Sequence, residues 1–496
     1  MGGLYLLYDE KGVKTVLFEA NTETTRISRL IAKAGNGLTE LQFLAKQIAL
    51  WKASPQRKEQ LTGELYYNNE HDILKRKRTI IGQKGQIETV ENLPNNRLID
   101  NQYAKMVDQK ANYLFGKPFT VESENADYVE RLKKLFDHRF QRTFRRMGED
   151  CLNGAVGWLC FYYDEQGQPI FKRLPPFEIL PFWADDDHTQ LDCAIRLYPQ
   201  EVWEGPTKKT VDRVELYKPD GIWRYIYQNG TLTPDAELGE HTPYFWKMDE
   251  AGTPAEGFNW LKIPLIPFKY NSAEIPLIRR TKCLQDGINI MLSDFENGMQ
   301  EDPRNTILVL KDYDGTDLGE FRQNLAAFGV IKVRADGDVQ TLEIAVDAEN
   351  YKAILDALKK ALIENARGYD AKDERMGNNP NQMNIQSMYS DIDLDANGME
   401  TEFQASLEEL LWFIDQYFIQ TNAGDFTNDQ VVFTFNRDIL INESEAIANC
   451  GKSVGILSEE TIIGQHPWTN DVTKELERVK AEREAQALEA DPYAGA

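Results

Sequence analysis

Gly451-Lys452-Ser453 is the triplet that ends a phosphate-cradling loop. Such a loop also needs a glycine five residues upstream and a preceding strand. Here the position holds Ala446, inside a segment of helical pattern. A helix-ending glycine followed by a solvated lysine is the better reading. Asp185-Asp186-Asp187-His188 offers hard oxygen ligands of the kind a cation takes. Adjacent side chains diverge, however, and no second cluster has matching spacing, so a solvated turn is expected. The five histidines (His71, His138, His188, His241, His466) are scattered, without the zinc-binding H-E-x-x-H or a Cys/His spacing. There is no G-x-S-x-G elbow. In a chain this acidic, paired carboxylates carry almost no information. No motif supports an enzymatic role, and no cofactor or metal is implied. Two basic clusters stand out: Lys75-Arg76-Lys77-Arg78, and Arg139, Arg142, Arg145 and Arg146. Each reads either as a solvated face or as half of a subunit interface. A basic patch facing an acidic patch on the next copy makes a head-to-tail contact, and such contacts close into rings.

The elements that would position these residues follow from composition and period. The 496 residues suggest roughly three domains at about 150 residues each. Eighty acidic against 56 basic residues give a net charge of −24, which excludes a protein that coats nucleic acid through a broad basic surface. Five cysteines without a C-x-x-C pair argue against a disulfide framework and fit a reducing compartment. The start, MGGLYLLYDEKG, lacks the basic region and apolar core of a signal peptide. No apolar stretch has the ~18 residues of a membrane span.

Thirteen of the 20 prolines and five of the nine tryptophans lie between Pro169 and Pro276. Proline interrupts helices, so this stretch is expected to form short strands and turns. The expected strands include Gly157–Tyr163, Cys193–Tyr198, Val211–Tyr217 and Gly221–Tyr227, with turns at Pro219-Asp220-Gly221 and Asn229-Gly230. Before it, helices are expected over Leu38–Ser54, Asn96–Leu114 and Asp127–Asn153. After it comes a helix over Leu277–Gln300, with an apolar stripe of Leu284, Ile288, Met291, Leu292 and Phe295. A βαββ unit follows: a strand at Thr306–Leu310, a helix at Leu318–Phe328, and strands at Val330–Val333 and Val339–Val346. A second helix, Ala348–Ala366, closes the bracket. After the polar break Gly377-Asn378-Asn379-Pro380-Asn381, Ile385–Gln420 has the pattern of one long helix with eight acidic residues and no Lys or Arg. Gly398 is a candidate bend. A strand at Val431–Phe435 and a helical tail ending in Val472–Glu489 complete the chain.

This order of elements resembles the portal proteins of tailed bacteriophages, the siphophage type above all. Asn101-Gln102-Tyr103 through Tyr113-Leu114-Phe115-Gly116-Lys117-Pro118 looks like the family's early wing helix and its stop. Asn153-Gly154 through Trp158, and Pro175–Ile179, look like wing segments. Ile307–Gly315 (ILVLKDYDG) looks like the start of the clip. Tyr389–Glu402 through Leu410-Leu411-Trp412 looks like the long family helix, with Asp395 where a lysine is common. The resemblance covers roughly residues 95–440.

It implies an α+β, mainly helical portal fold with wing, stem, clip and crown, assembled as a ring. Residues 1–60 have no assigned role. Residues 61–276 would be the wing, 277–304 and 346–370 the two stem helices, 305–345 the clip, 371–384 the tunnel loop, 385–440 the long wing helix with its return strand, and 441–496 the crown. The implied function is a conduit at one capsid vertex for packaging, retention and ejection of double-stranded DNA. Gly377, Asn378, Asn379, Pro380, Asn381, Gln382 and Met383 would line the bore. Lys311, Asp312, Asp314 and Asp317 would form the docking surface of the clip, and Arg139, Arg142, Arg145 and Arg146 a patch between subunits. The implied partners are a homo-oligomeric ring of 12 or 13 copies, DNA, terminase, major capsid and scaffolding proteins and a head–tail adaptor, with no membrane. The place is the virion, and the host cytoplasm during assembly. Twelve copies would carry roughly −290 charges, which keeps sliding phosphates from being gripped. The competing readings are a nucleotide-binding enzyme or motor component built on Gly451–Ser453, and another phage head-morphogenesis protein.

Overall fold

A computed structural model of the chain describes residues 5–8, 14–17, 26–33, 39–81, 86–91, 93–248, 254–301, 307–311, 338–342, 348–370, 382–437, 443–469 and 472–490. They divide into two units. The first is Met1–Leu61, Met106–Leu277 and Arg367–Ala496, and the second is Thr62–Lys105 with Ile278–Ala366.

The first unit opens with a two-stranded ladder, β1 (Tyr5–Tyr8) on β2 (Lys14–Leu17), and helices α1 (Ile27–Lys33) and α2 (Glu40–Ala53). Thr39 caps α2 in a reciprocal box. Its hydroxyl accepts from the Gln42 N–H, and the Gln42 side chain accepts from the Thr39 N–H. The box starts the helix where its apolar face begins, so Leu44, Ala45, Ile48 and Trp51 enter the core. Each large member contributes about 1.5–3 kcal/mol by leaving water. Helix α2, within the opening 60 residues to which the sequence assigned no role, thus supplies part of this unit's core.

The proline-rich stretch forms antiparallel sheets, as its composition predicts. Strands β8 (Ile179–Trp183), β9 (Leu191–Glu204), β10 (Thr207–Lys218), β11 (Gly221–Gln228) and β12 (Thr231–Pro234) run in the order β12-β11-β10-β9-β8, and β13 (His241–Thr242) pairs with β11. Asn229 and Gly230 take φ of 51° and 77°, the left-handed pair that joins β11 to β12. A three-stranded sheet, β16 (Leu265–Lys269), β6 (Val156–Tyr163) and β7 (Pro169–Leu174), stands beside it. Trp158 and Cys160 on one face of β6 join the core that α2 covers. Phe161, on the other face, meets Phe171 and Phe413. Two small ladders complete the unit's sheets: β14 (Phe245–Met248) with β15 (Pro254–Phe258), and β5 (Thr120–Glu122) with β19 (Val432–Thr434).

Helix α4 (Gln102–Phe115) enters this unit at Met106. The single helix expected over Asp127–Asn153 is two: α5 (Ala126–Leu135) and α6 (His138–Gly154). Asp137 breaks them, because its carboxylate caps α6 by accepting from the N–H groups of Arg139 and Phe140. Phe140 and Phe144 of α6 enter an aromatic cluster with Phe115, Phe119, Phe403 and Phe435. Gly148 lets α6 lie on Phe115, since a Cβ there would sit 2.3 Å from the ring. The long helix α9 is Gln382–Gln420, three residues longer at its start than its pattern indicated, and it runs through Gly398 unbroken. Its Ser406 hydroxyl donates to the Pro267 carbonyl of β16 at 2.6 Å. The tail holds α10 (Glu443–Lys452), α11 (Glu459–Gln465) and α12 (Val472–Ala490).

The second unit contains the C-terminal end of α3 (Pro55–Tyr67), the hairpin β3 (Thr79–Ile81) with β4 (Ile87–Thr89), and α7 (Leu277–Glu301) from Ile278 onward. Strands β17 (Ile307–Lys311) and β18 (Asp338–Leu342) then pair antiparallel, and α8 (Ala348–Asn365) follows. Phe295 meets Tyr351, and Gly287 faces Leu358, so α7 and α8 run antiparallel. The expected helix Leu318–Phe328 and strand Val330–Val333 lie outside the described residues. The helix expected from Asn96 begins only at Gln102, and the residues before it follow α7 in a non-helical course.

Candidate functional site

The first candidate surface is the basic face of α6. The helix is sharply two-sided: Phe140, Phe144, Met147 and Cys151 are buried, while Arg139, Arg142, Arg145 and Arg146 are all exposed. Arg145 reaches Glu149 only at 3.7 Å, and the other three have no ion-pair partner among the described residues. Burial raises the Glu149 carboxyl, opposed by Arg145. The other basic cluster differs. Arg76 binds Asp294 at 2.5 Å, Arg78 lies 3.8 Å from the same carboxylate, and Lys75 pairs with Asp72. It is largely spent inside the second unit.

The eight acids of α9 are the complement such a patch would need, and four of them are taken by partners within the chain. Asp393 accepts from the Tyr113 hydroxyl at 2.9 Å and pairs with Arg437, and Glu400 pairs with the same guanidinium at 2.5 Å. Asp395 takes the buried Lys110 ammonium at 2.7 Å and the Tyr270 hydroxyl at 2.6 Å. Asp415 accepts from Tyr128 at 2.6 Å, and burial pushes its carboxyl up to about 6. Asp391, Glu402, Glu408 and Glu409 remain without an ion pair among the described residues. Burial pushes Glu409 up to about 7, against the opposing pull of Lys262. The sequence shows how many acids α9 carries; only the fold shows which of them face out.

The second candidate element was not legible as such. The stripe of α7 that is fully buried is polar: Thr281, Gln285, Asn289, Ser293 and Asn297. Of the apolar stripe expected there, only Ile288 is fully buried; Phe295 serves the α8 side. The polar stripe binds backbone N–H groups of the segment before α4 and of the first turn of α4. Asn297 Oδ1 accepts from Asn96 at 2.8 Å, Ser293 Oγ from Leu98 at 2.9 Å, Asn289 Oδ1 from Asp100 at 3.1 Å and Gln285 Oε1 from Tyr103 at 2.9 Å. Among the described residues the segment pairs with no strand, and N–H groups withdrawn from water must be satisfied. Side chains of α7 stand in for that strand. The i, i+4, i+8, i+12 run of amides and a hydroxyl was the signal in the sequence, masked by the apolar stripe beside it.

His71 completes this network. Its Nε2–H donates to the Tyr66 carbonyl at 3.0 Å, and Nδ1 accepts from the Asn289 amide at 2.8 Å. A carbonyl only accepts, so the ring is the neutral Nε2–H tautomer. Burial lowers its pKa, opposed by the Tyr66 carbonyl and by Asp286 and Asp72.

Of the loop residues, Gly377, Asn378, Asn379, Pro380 and Asn381 lie outside the described residues. Gln382 and Met383 are not loop but the first turn of α9. Lys311 ends β17 opposite Asp338, and Asp312, Asp314 and Asp317 lie outside the described residues. Gly451 and Lys452 form the last turn of α10, and the Ser453 hydroxyl donates back to the Asn449 carbonyl. A phosphate needs the N–H groups of a helix N-terminus, whereas here it would meet carbonyls. Asp185 closes a turn by accepting from Thr189 and Gln190, and His188 bonds Glu274. No group of three or more His, Cys, Asp or Glu placed to hold a metal occurs among the described residues. None of the described helices is long and apolar enough to cross a membrane.

This chain is 28% identical over 464 residues to the portal protein of Bacillus phage SPP1, covering 93% of this chain and 90% of that protein. It is 26% identical over 454 residues to the portal protein of Clostridium phage phiCD119, covering 88% and 95%. A solved structure, the neck of an empty GTA particle computed with C6 symmetry, superposes with a TM-score of 0.42 at 12% identity, over 73% of this chain and 88% of that one. The family described as phage portal protein, SPP1 Gp6-like, matches residues 51–488, and the chain belongs to this family of structural portal proteins.

Proposed function

We propose that copies of this chain close into a ring at one vertex of a phage capsid, and that double-stranded DNA passes through the ring during packaging, retention and ejection. In this reading the chain performs no catalysis of its own. Terminase supplies the work, and the ring also meets the major capsid and scaffolding proteins and the head–tail adaptor. The second unit would provide stem and clip, residues 371–381 the loop that reaches the DNA, and the tail from about 441 the crown. Residency in the virion follows assembly in the host cytoplasm.

The single observation that carries this reading is the second unit. Two antiparallel helices, α7 and α8, bracket a strand pair, and α7 is held by side chain to backbone bonds along four turns. That is a stiff element with a β-structured tip, which suits a conduit better than a binding pocket. The test is native mass together with negative-stain images. A particle of about twelve or thirteen copies of the 57.0 kDa chain with a central hole is expected. A chain that stays monomeric even with capsid and scaffolding proteins present refutes the reading. Deleting Asn378–Asn381 should spare the ring and impair DNA passage; normal packaging by that variant removes the loop from the bore.

A further inference from the structure

We infer that the arginine face of α6 docks on a second copy of this chain, in the groove edged by Glu408 and Glu409 of α9. The inference rests on the ring reading and names the two surfaces that would make the contact. The groove has a volume of about 640 Å³ and is lined by Arg26, Asp192, Leu261, Lys262, Glu408 and Glu409 among others. Its apolar lining, Leu191, Leu261 and Ile263 among it, and its carboxylates suit the aliphatic stems and guanidinium heads of arginine.

Four observations select this occupant. Arg139, Arg142 and Arg146 are exposed and have no ion-pair partner among the described residues. Of the eight acids of α9, Asp393, Asp395, Glu400 and Asp415 are taken by internal partners, and of the four that are not, Glu408 and Glu409 line the groove. Glu409 is half-buried, makes no hydrogen bond among the described residues, and burial disfavours its charged form. A guanidinium brought to it restores the charge that burial opposes. Leu261 is 84% exposed at the rim, an apolar side chain that a packed neighbour would cover. Three acids, Asp192, Glu408 and Glu409, outnumber the two cations of the groove, Arg26 and Lys262. Lys262 lies over the Trp412 ring at 5.1 Å while opposing the effect of burial on Glu409, and the Asp192 carboxylate accepts from the Ile27 N–H at 2.7 Å. Patch and groove are different surfaces of one chain, so the contact is head to tail and propagates until it closes.

The test exploits that asymmetry. One variant carries Arg142→Glu with Arg146→Glu, the other Glu408→Lys with Glu409→Lys. Each alone should lose at least tenfold of its ring fraction at fixed concentration. Mixed, they should recover rings in which the two variants alternate one to one, because the reversed patch fits only the reversed groove. A chain carrying all four substitutions should also recover. Should Glu409→Lys disturb folding, judged by circular dichroism of the monomer, Glu408→Lys alone with Glu409→Gln replaces it. Rings formed normally by either variant overturn the proposal and leave the ring reading intact. So does loss of rings that the mixture fails to restore. Rings that form normally in the arginine variant but retain DNA poorly would reassign the patch to phosphate contact. If wild type itself forms no ring with capsid and scaffolding proteins present, the ring reading fails and this inference falls with it.

Discussion

Replacing Asn289 by leucine keeps the branched shape of a buried side chain and removes its hydrogen-bonding chemistry. Asn289 accepts from the Asp100 N–H at 3.1 Å and from the Gln285 amide at 3.0 Å, and donates to His71 Nδ1 at 2.8 Å. All three bonds are lost together. Only the first joins the segment to α7, but its loss leaves the Asp100 N–H unpaired, and with the two supporting bonds gone the segment before α4 is held up to about 3 kcal/mol less firmly. Each 1.4 kcal/mol is a factor of ten, so local opening should rise roughly 100-fold. Hydrogen exchange reads this directly, because the rungs are backbone amides. In the variant, Asn96, Leu98 and Asp100 should exchange roughly 100-fold faster, while amides within α7 and the six-stranded sheet keep their protection. Ile290→Ala, on the exposed side of the same helix, serves as the control and should leave these amides unchanged. A change below about threefold at Asp100 would show that the ladder does not hold the segment. Equal loss of protection throughout α7 would show that the asparagine supports the helix rather than the segment.

Three further outcomes are expected. His71 has a folded-state pKa below its free value, so it favours folding while neutral. Its contribution is complete above about pH 6.5 and is lost as pH falls from there through the folded value. Protection of residues 95–103 should weaken between neutral pH and about pH 5, and His71→Gln should flatten that dependence; an unchanged slope refutes the assignment. Gly148→Ala should cost about 1–3 kcal/mol in denaturant unfolding, because a Cβ would meet the Phe115 ring at 2.3 Å; a neutral result would mean α6 moves freely. Lys452→Ala should leave nucleotide binding as weak as in wild type, and saturable binding that the substitution abolishes would revive the enzyme reading.

What the sequence showed plainly were elements whose period or punctuation is local. The strands between Pro169 and Pro276 and the Asn229-Gly230 turn follow from residue type alone. So does the long helix ending at Gln420. Features set by what lies opposite stayed hidden. Asp137 looks like one more polar residue on a helix until its carboxylate is seen accepting from Arg139 and Phe140. Asp395, which departs from the family pattern at a position where lysine is common, is explained by Lys110 at a sequence distance of 285 residues. The arginines of α6 were legible as a cluster, and their exposure required the helix to be phased by Phe140 and Phe144. The groove at Glu408 and Glu409 draws on several separate stretches of chain, and no local pattern announces it.

The rungs on α7 also set a mechanical property. Four residues of helix advance about 6.0 Å, whereas two residues of extended chain advance about 6.4–6.8 Å. The two scales drift apart by roughly half an ångström per rung, as in a vernier. The chain meets the drift with side chains of unequal reach: Asn297, Ser293, Asn289 and, where the segment turns into α4 and skips to Tyr103, the longer Gln285. Sliding by one helical turn would set an asparagine in the slot cut for a serine and a serine in the slot cut for an asparagine. No shifted setting matches. Helix and strap are therefore held in one register, without a second into which they can creep.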